Sequence, residues 1–413
     1  MRLRIAAWIA VALSWTTAAD LGAQTLPPIP TTHPRILLVG AELARLQADN
    51  TANTAAAVRF RNMVNSAVGG SNIYGYSAWY SALMGVVTGQ PQYCAHAVTK
   101  AEAYVASEEA LLANNERPAL SYDSYLEVGD YVGDIMLVYD WCHATLSAAQ
   151  KTRWRALASR ALINVWDPDN ATWNGNAFPW SGWSINNPVN NYHFSFLRAT
   201  MLYGLATKHE AADADQWLNH FRFTKFANQL VPTYNSDLVG GGSREGSGYG
   251  TAMKGLFGLY WLWEKTTGER IADATPHSQA TMAYMLHILA PMRDRIAPIG
   301  DHARDETAAF YDYHREMLLA LSSIYSGTGI AQRVKSTLPL TNRAQMGDQF
   351  NWVWDYFYPG STGGGGDGLF KTYVPPGTGH QSMRSGWETN STWLMFLAGP
   401  YTESHAHSDG LSL

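Results

Sequence analysis

The chain has 413 residues, with 29 Lys and Arg against 34 Asp and Glu and a formal net charge of −5. That balance argues against a nucleic-acid binder, which carries a basic excess, although a local arginine cluster could still meet an acidic ligand. An apolar content of 46% excludes wholesale disorder, and the length exceeds one ordinary core, so one large repetitive domain plus the start of a second is expected.

Residues 1–23 read as a signal peptide: Arg2 and Arg4, then an apolar run from Ile5 to Trp15, then small residues up to a cut near Ala23. The run is too short to span a membrane, and no later stretch is apolar enough to do so. The expectation is a secreted or periplasmic protein with no membrane anchor. In such a compartment Cys94 and Cys142, the only two cysteines, can bridge; two buried thiols on helices fit the sequence equally well.

From about residue 35 to 340 the signal is helical. Tyr125, Val128, Val132, Ile135 and Tyr139 fall at helical spacing, and Ser147 with Gln150 forms a capping box ahead of the stripe Trp154, Leu157, Ala161 and Leu162. Similar stripes recur in "SAWYSALMGVVTG", "FSFLRATMLYGLATKH", "AMKGLFGLYWLWEKTTG" and "YHREMLLALSSIYSG", several closing on Gly. Roughly ten helices joined by short connections predict antiparallel helix pairs in an α/α toroid over residues 24–345. Residues 346–378 read as a Gly- and Pro-rich connector. Beyond it, over 379–413, "HQSMRSGW" and "STWLMFLAG" have the composition of antiparallel strands, the opening of a β-sandwich. Two or three strands leave a sheet with nothing to pack against, so more strands are expected beyond Leu413.

Polar residues concentrate at a few places. "NNPVNNYHFSF" carries Asn190, Asn191, Tyr192 and His193 at the start of a helical stripe, where Asn also serves as an N-cap. "GGGSREGSGYG" carries Arg244, Glu245 and Tyr249 on a loop whose glycines allow the backbone to approach a bulky ligand. The end of the chain reads "SHAHSDGLSL"; on a strand, His405, His407 and Asp409 would share one face, and imidazoles serve both as metal ligands and in proton transfer near neutral pH. Asp301 and His302 form a smaller cluster. Trp173, Trp180 and Trp183 lie close together, and such indoles either stack sugar rings or fill gaps between helices.

In the order and spacing of "HPRILL", "VGDIMLVYDWC" followed by "LSAAQ", "NNYH", "REGSGYG", "PIGD" and "MRSGW…STWLMFLAGPYTESHAHSDGLSL", the chain resembles the heparinase II/III-like polysaccharide lyases, over nearly its whole mature length. The resemblance implies an α/α toroid, a C-terminal β-sandwich and a cleft between them that cleaves uronic-acid-containing polysaccharides by β-elimination. It implies Tyr249 as proton donor and often base, His405 as the catalytic histidine, and His407 as one ligand of a structural zinc whose other ligands lie beyond Leu413. Asn191 corresponds to the asparagine that neutralises the substrate carboxylate. Tyr192 separates it from His193, so either residue can fill the companion slot. Around these, Asn190, Tyr192, Arg244, Glu245 and Trp183 are candidate substrate contacts. The partner expected is an acidic polysaccharide or oligosaccharide. Two other readings remain: an α/α-toroid glycoside hydrolase using Glu245 and Asp301 as its carboxylate pair, and a non-catalytic glycan-binding protein.

Overall fold

A computed structural model describes residues 25–122, 125–178, 180, 182–301, 308–341, 353–363, 368–400, 403 and 405–406. The expected signal peptide lies outside these residues, as do His302, His407 and Asp409. No described helix is long and apolar enough to cross a membrane.

The helices follow one another with short connections. The first six are α1 (Gly40–Thr51), α2 (Ala55–Val68), α3 (Ala78–Thr88), α4 (Pro91–Ala113), α5 (Val128–Trp141) and α6 (Ala148–Trp166). A small hairpin, β1 (Thr172–Trp173) with β2 (Asn176–Ala177), precedes α7 (Asn191–Thr207) and α8 (Ala214–Asn219). A π-helical stretch, His220–Leu230, runs directly into α9 (Val231–Asp237). Then come α10 (Met253–Thr267), α11 (His277–Ile288), α12 (Asp312–Ile324), α13 (Gly329–Thr337) and α14 (Val353–Phe357). The last strands, β3 (Thr372–Tyr373), β4 (His380–Arg384) and β5 (Trp393–Leu397), form one antiparallel sheet in that order.

Local chemistry sets several boundaries. Ser147 and Gln150 close a reciprocal capping box at the start of α6, satisfying two backbone donors that the first turn would otherwise leave unpaired. Gly89 and Gly268 end α3 and α10 in the left-handed region, as the sequence suggests. Helix α5 starts at Val128, and Tyr125 lies outside it with φ of 64°.

Helices α3, α5, α7, α10 and α12 touch in succession, and α14 joins α12 to α2 and so back to α3, which closes a ring; α4, α6, α8, α11 and α13 flank it on the outside. Aromatic packing seals the join. Trp79 of α3 meets Trp354 and Phe357 of α14 at 5.7 and 5.5 Å between ring centroids, and Tyr356 stacks on Phe60 of α2 at 5.1 Å. Each such buried ring contributes roughly 1.5–3 kcal/mol. Asp355 adds charge to the same seam, accepting from Arg59 of α2 at 2.8 Å and from Arg315 of α12. Helix α14 and strand β3 both fall in the stretch read as a featureless connector; what turns 353–357 into a helix is this tertiary packing, invisible in a segment of five residues.

The sheet also has something to pack against, contrary to the expectation from its length. Ser382 and Arg384 alternate with exposed Met383 and face α11, where Ser382 Oγ and Trp393 Nε1 donate to the carbonyl of His287 at 3.1 and 3.0 Å. Arg384 Nη2 donates to the carbonyl of Leu289 at 2.7 Å. The strands therefore satisfy carbonyls that the end of α11 leaves open. A disulfide joins Cys94 of α4 to Cys142 at the end of α5, with 5.4 Å between Cα atoms.

Candidate active site

The glycine-rich loop between α9 and α10 is fastened by backbone contacts. Ser247 N–H donates to the carbonyl of Ile299 at 2.8 Å, and Ser247 Oγ donates to that of Ala297 at 2.6 Å. Gly246 has φ of +77°, and a Cβ there would collide with the Ile299 carbonyl oxygen. One step along, Gly300, at φ of +64°, has no room for a Cβ beside the carbonyl of His405, and Asp301 N–H donates to that same carbonyl at 2.8 Å. These glycines let backbone approach backbone rather than a ligand, and the result is that residues 246–249, 299–301 and 405 are held together.

There Tyr249 and His405, 156 positions apart in sequence, stack face to face with 3.8 Å between centroids and 3° between planes. His405 Nδ1 lies 2.8 Å from Asp301 Oδ2, so the carboxylate orients the imidazole and leaves Nε2 as the reactive nitrogen. His405 sits in a turn, not on a strand; the side-by-side arrangement expected of 405, 407 and 409 does not apply to it.

Tyr249 lines a cavity of about 580 Å³ inside the helical ring, within the size range of small-molecule sites. One face of α7 supplies Asn191, Phe194, Ser195 and Arg198, spaced i, i+3, i+4 and i+7. Facing them are Glu127 and Asp130 near the start of α5, Lys254 of α10, and Tyr311 and Tyr313 at the start of α12. Asn191 is buried; its Oδ1 accepts from the N–H of Tyr192 at 3.0 Å, and its Nδ2 has no acceptor among the described residues. Arg198 donates to Asp134 at 3.0 Å and stands 3.5 Å from Asp130. Lys254 Nζ lies 3.2 Å from Glu316, whose carboxyl burial pushes up to about 7 despite the ammonium beside it.

The other candidates are dispersed. Asn190 caps α7 through Tyr192 N–H and donates from Nδ2 to Glu245 at 2.9 Å and to Glu403 at 3.3 Å. Glu245 is fully buried; burial, with Glu403 adding to it, raises its carboxyl to about 9. Neither residue lines the cavity. The hydrolase pairing of Glu245 with Asp301 fails on this geometry, because one carboxyl is sealed from solvent and the other is engaged by His405. His193 is also fully buried: its Nδ1 meets the Ser184 carbonyl at 2.7 Å, its ring packs edge-on to Trp166, and burial lowers it to about 4. It does not line the cavity, and neither does Tyr192, which packs edge-on against the exposed Trp183. Arg244 is turned toward the end of α9, donating to the Asp237 carbonyl at 3.2 Å. The chemistry that sequence reasoning missed lies in Lys254, Arg198 and Asp130. The signal for Arg198 was its helical spacing from Asn191.

The zinc ligand expected at His407 lies outside the described residues. Among those described, His33, His143 and Glu210 place ligand-type atoms within 4.8 Å of one another. They do not suit a cation. The imidazoles are stacked nearly parallel at 3.7 Å, so their in-plane lone pairs run side by side instead of converging, and Glu210 already accepts from Arg35 at 2.8 Å and Tyr139 at 2.7 Å.

No described protein family and no curated protein matches the chain. Solved structures that it is similar to include the heparan sulfate lyase HepC from Pedobacter heparinus, at 16% identity and a TM-score of 0.45, covering 81% of this chain and 45% of that one. Heparinase III is similar at 13% identity and a TM-score of 0.47, covering 79% of this chain and 44% of that one. The chain thus spans just under half the length of either.

Proposed function

We propose that this protein is an exported polysaccharide lyase that cleaves uronic-acid-containing chains by β-elimination. The observation that carries the reading is the stacked Tyr249–His405 pair, backed by Asp301, beside a cavity that presents the Asn191 amide and the Lys254 ammonium. In the reaction the C5–H bond of the uronate breaks, a C4=C5 double bond forms, and the C4–O4 bond breaks, the leaving oxygen taking up a proton. One of the pair accepts the C5 proton and the other donates to O4; the face of the sugar that bears the C5 hydrogen decides which.

The C5 proton is poorly acidic while the neighbouring carboxylate keeps its full charge. Hydrogen bonding from Asn191 Nδ2 and charge from Lys254 stabilise the enolate-like state more than the ground state, which is where rate is gained. Glu316 holds Lys254 at 3.2 Å, which positions its ammonium at the cavity for a substrate carboxylate. The Cys94–Cys142 disulfide suits an oxidising compartment and so supports export to the periplasm or beyond.

The test is incubation of the protein with a panel of uronate polysaccharides, followed by ultraviolet absorbance of the new double bond. Tyr249→Phe should abolish the signal on whichever polymer is cleaved. Saturated products with new reducing ends would establish hydrolysis instead, and binding without turnover, retained in Tyr249→Phe, would establish a glycan-binding protein.

A further inference from the structure

A second hollow of about 210 Å³ lies between the end of α11, helix α13 and the turn after β4, and shares no lining residue with the cavity of the proposed lyase site. Arg293, Arg333 and Arg384 all line it, together with Trp387, Ser336 and Thr337. Elsewhere the arginines of this region have acidic partners: Arg295 pairs with Asp294, and Arg315 with Asp355. No carboxylate among the described residues lies within ion-pair distance of Arg293, Arg333 or Arg384.

Among the described residues the three cations are held in place without being neutralised. Trp387 carries Arg384 over its ring at 4.0 Å and Arg333 at 5.4 Å, while its carbonyl accepts from Arg293 Nη2 at 3.0 Å. Arg384 is 8% exposed and spends Nη2 on the carbonyls of His287 and Leu289 at 3.3 and 2.7 Å. The Nε–H groups of Arg333 and Arg384 are buried and have no acceptor among the described residues. A helix C-terminus offers about half a negative charge, so even the ends of α11 and α13 together offset only about one of three positive charges. The lowering of the Arg384 guanidinium to about 10, by burial and then by Arg293 and Arg333, reports the same crowding.

We infer that Arg293, Arg333 and Arg384 form an oxyanion-binding site distinct from the lyase cavity, taking a carboxylate or sulfate group. Planar guanidiniums pair with such groups through two parallel hydrogen bonds, and the buried, partnerless Nε–H donors supply what those bonds need. The hollow is smaller than sites that enclose drug-sized ligands, about 300–1,000 Å³, so it admits one anionic unit and not a length of polymer. That unit is either the charged group of an acidic saccharide or a free inorganic anion.

Isothermal titration calorimetry at constant ionic strength tests this, with sodium sulfate and sodium glucuronate titrated separately into the full chain, each alone and in the presence of an acidic oligosaccharide. Arg293→Gln and Arg333→Gln are the variants, each first checked for an unchanged melting curve, since Arg384→Gln also removes a donor from the carbonyls of His287 and Leu289. Sulfate or glucuronate should bind saturably to the parent chain, with affinity falling about tenfold or more in each variant. Competition by the oligosaccharide assigns the site to saccharide, and its absence assigns it to free anions. Absence of saturable binding, or equal heats in parent and variants, would overturn the inference. Because binding is read without turnover, this outcome is separate from that of the lyase assay.

Discussion

Two clusters in this molecule use the same side chains in different settings. At the cavity, His405 pairs with Asp301, whose side chain is 43% exposed, and its open ring face lies on Tyr249. On the far side of the sequence, His33 is bound at both nitrogens, to Asp140 at 2.6 Å and Glu210 at 2.5 Å, and stacks on His143; Asp140 in turn accepts the backbone N–H groups of Arg35 and Ile36. The difference is one of spare capacity. His405 retains a ring nitrogen for a substrate, whereas every polar atom of His33 is committed to joining the N-terminal segment to α5 and to the turn after α7. A His–carboxylate pair acquires chemistry only where the fold leaves it unfinished.

The widest separation between the two clusters should appear in catalysis. On a uronate polymer that the protein cleaves, His405→Ala is expected to lower turnover by about 10²–10⁴-fold, the usual contribution of a positioned acid or base. Asp301→Asn should cause a smaller loss, because it disturbs only the orientation of the ring. Both should leave the melting temperature nearly unchanged, as expected for partly exposed groups. A drop in stability matching the drop in rate would make the cavity cluster structural as well.

The disulfide offers the converse effect, since Cys142 immediately precedes His143. Opening a loop with a sequence separation of 48 residues is expected to cost about 4 kcal/mol in Cys94→Ser with Cys142→Ser, measured by denaturant unfolding, with little change in turnover per folded molecule.

Parts of the fold and of the candidate site were legible in the sequence, whereas the His33 cluster was not, and the failures have identifiable causes. The capping box of α6, the glycine ends of α3 and α10 and the strands at 380–384 and 393–397 are local features, and local pattern found them. Tyr249 and His405 were nominated by resemblance to a family and are brought together by the fold. His193 sits two positions from Asn191, about 200° round a helix, so it points into the core while Asn191 faces the cavity. Lys254 and Arg198 look in sequence like ordinary solvated charges; only closure of the helical ring turns them inward. Arg244 lies on a loop whose course is set by contacts with Ile299 and Thr281, far away in sequence.

A more modest stability effect belongs to Glu210. Hydrogen bonds from Tyr139, His33 and Arg35 outweigh its burial and hold its carboxyl at about 2, below its ordinary 4.5. A depressed carboxyl stabilises the fold above the unfolded value, and that stability is lost as pH falls from about 4.5 to 2. Glu210→Gln should therefore cost about 1–3 kcal/mol at pH 7 and flatten the acid limb of a melting-temperature profile. An unchanged acid limb would mean that the cluster binds together less tightly than its contacts imply.

Glu245 provides the opposite sign, just behind the cavity. It is buried beside Glu403 with Asn190 Nδ2 as donor, and its folded value of about 9 lies above the ordinary 4.5. The folded state therefore holds a proton that the unfolded chain has released, so stability present at pH 4 declines as pH rises from about 4.5 toward 9. Glutamine mimics the protonated carboxyl in shape and keeps an acceptor for Asn190, so at pH 5 Glu245→Gln should change almost nothing, the smallest effect of the set. By pH 8 the variant should melt higher than the parent chain, and the two melting profiles should diverge steadily between those limits. Parallel profiles would mean that Glu245 is ionised in the folded protein, in which case Asn190 Nδ2 donates to a charged carboxylate at the start of α7 and not to a neutral one.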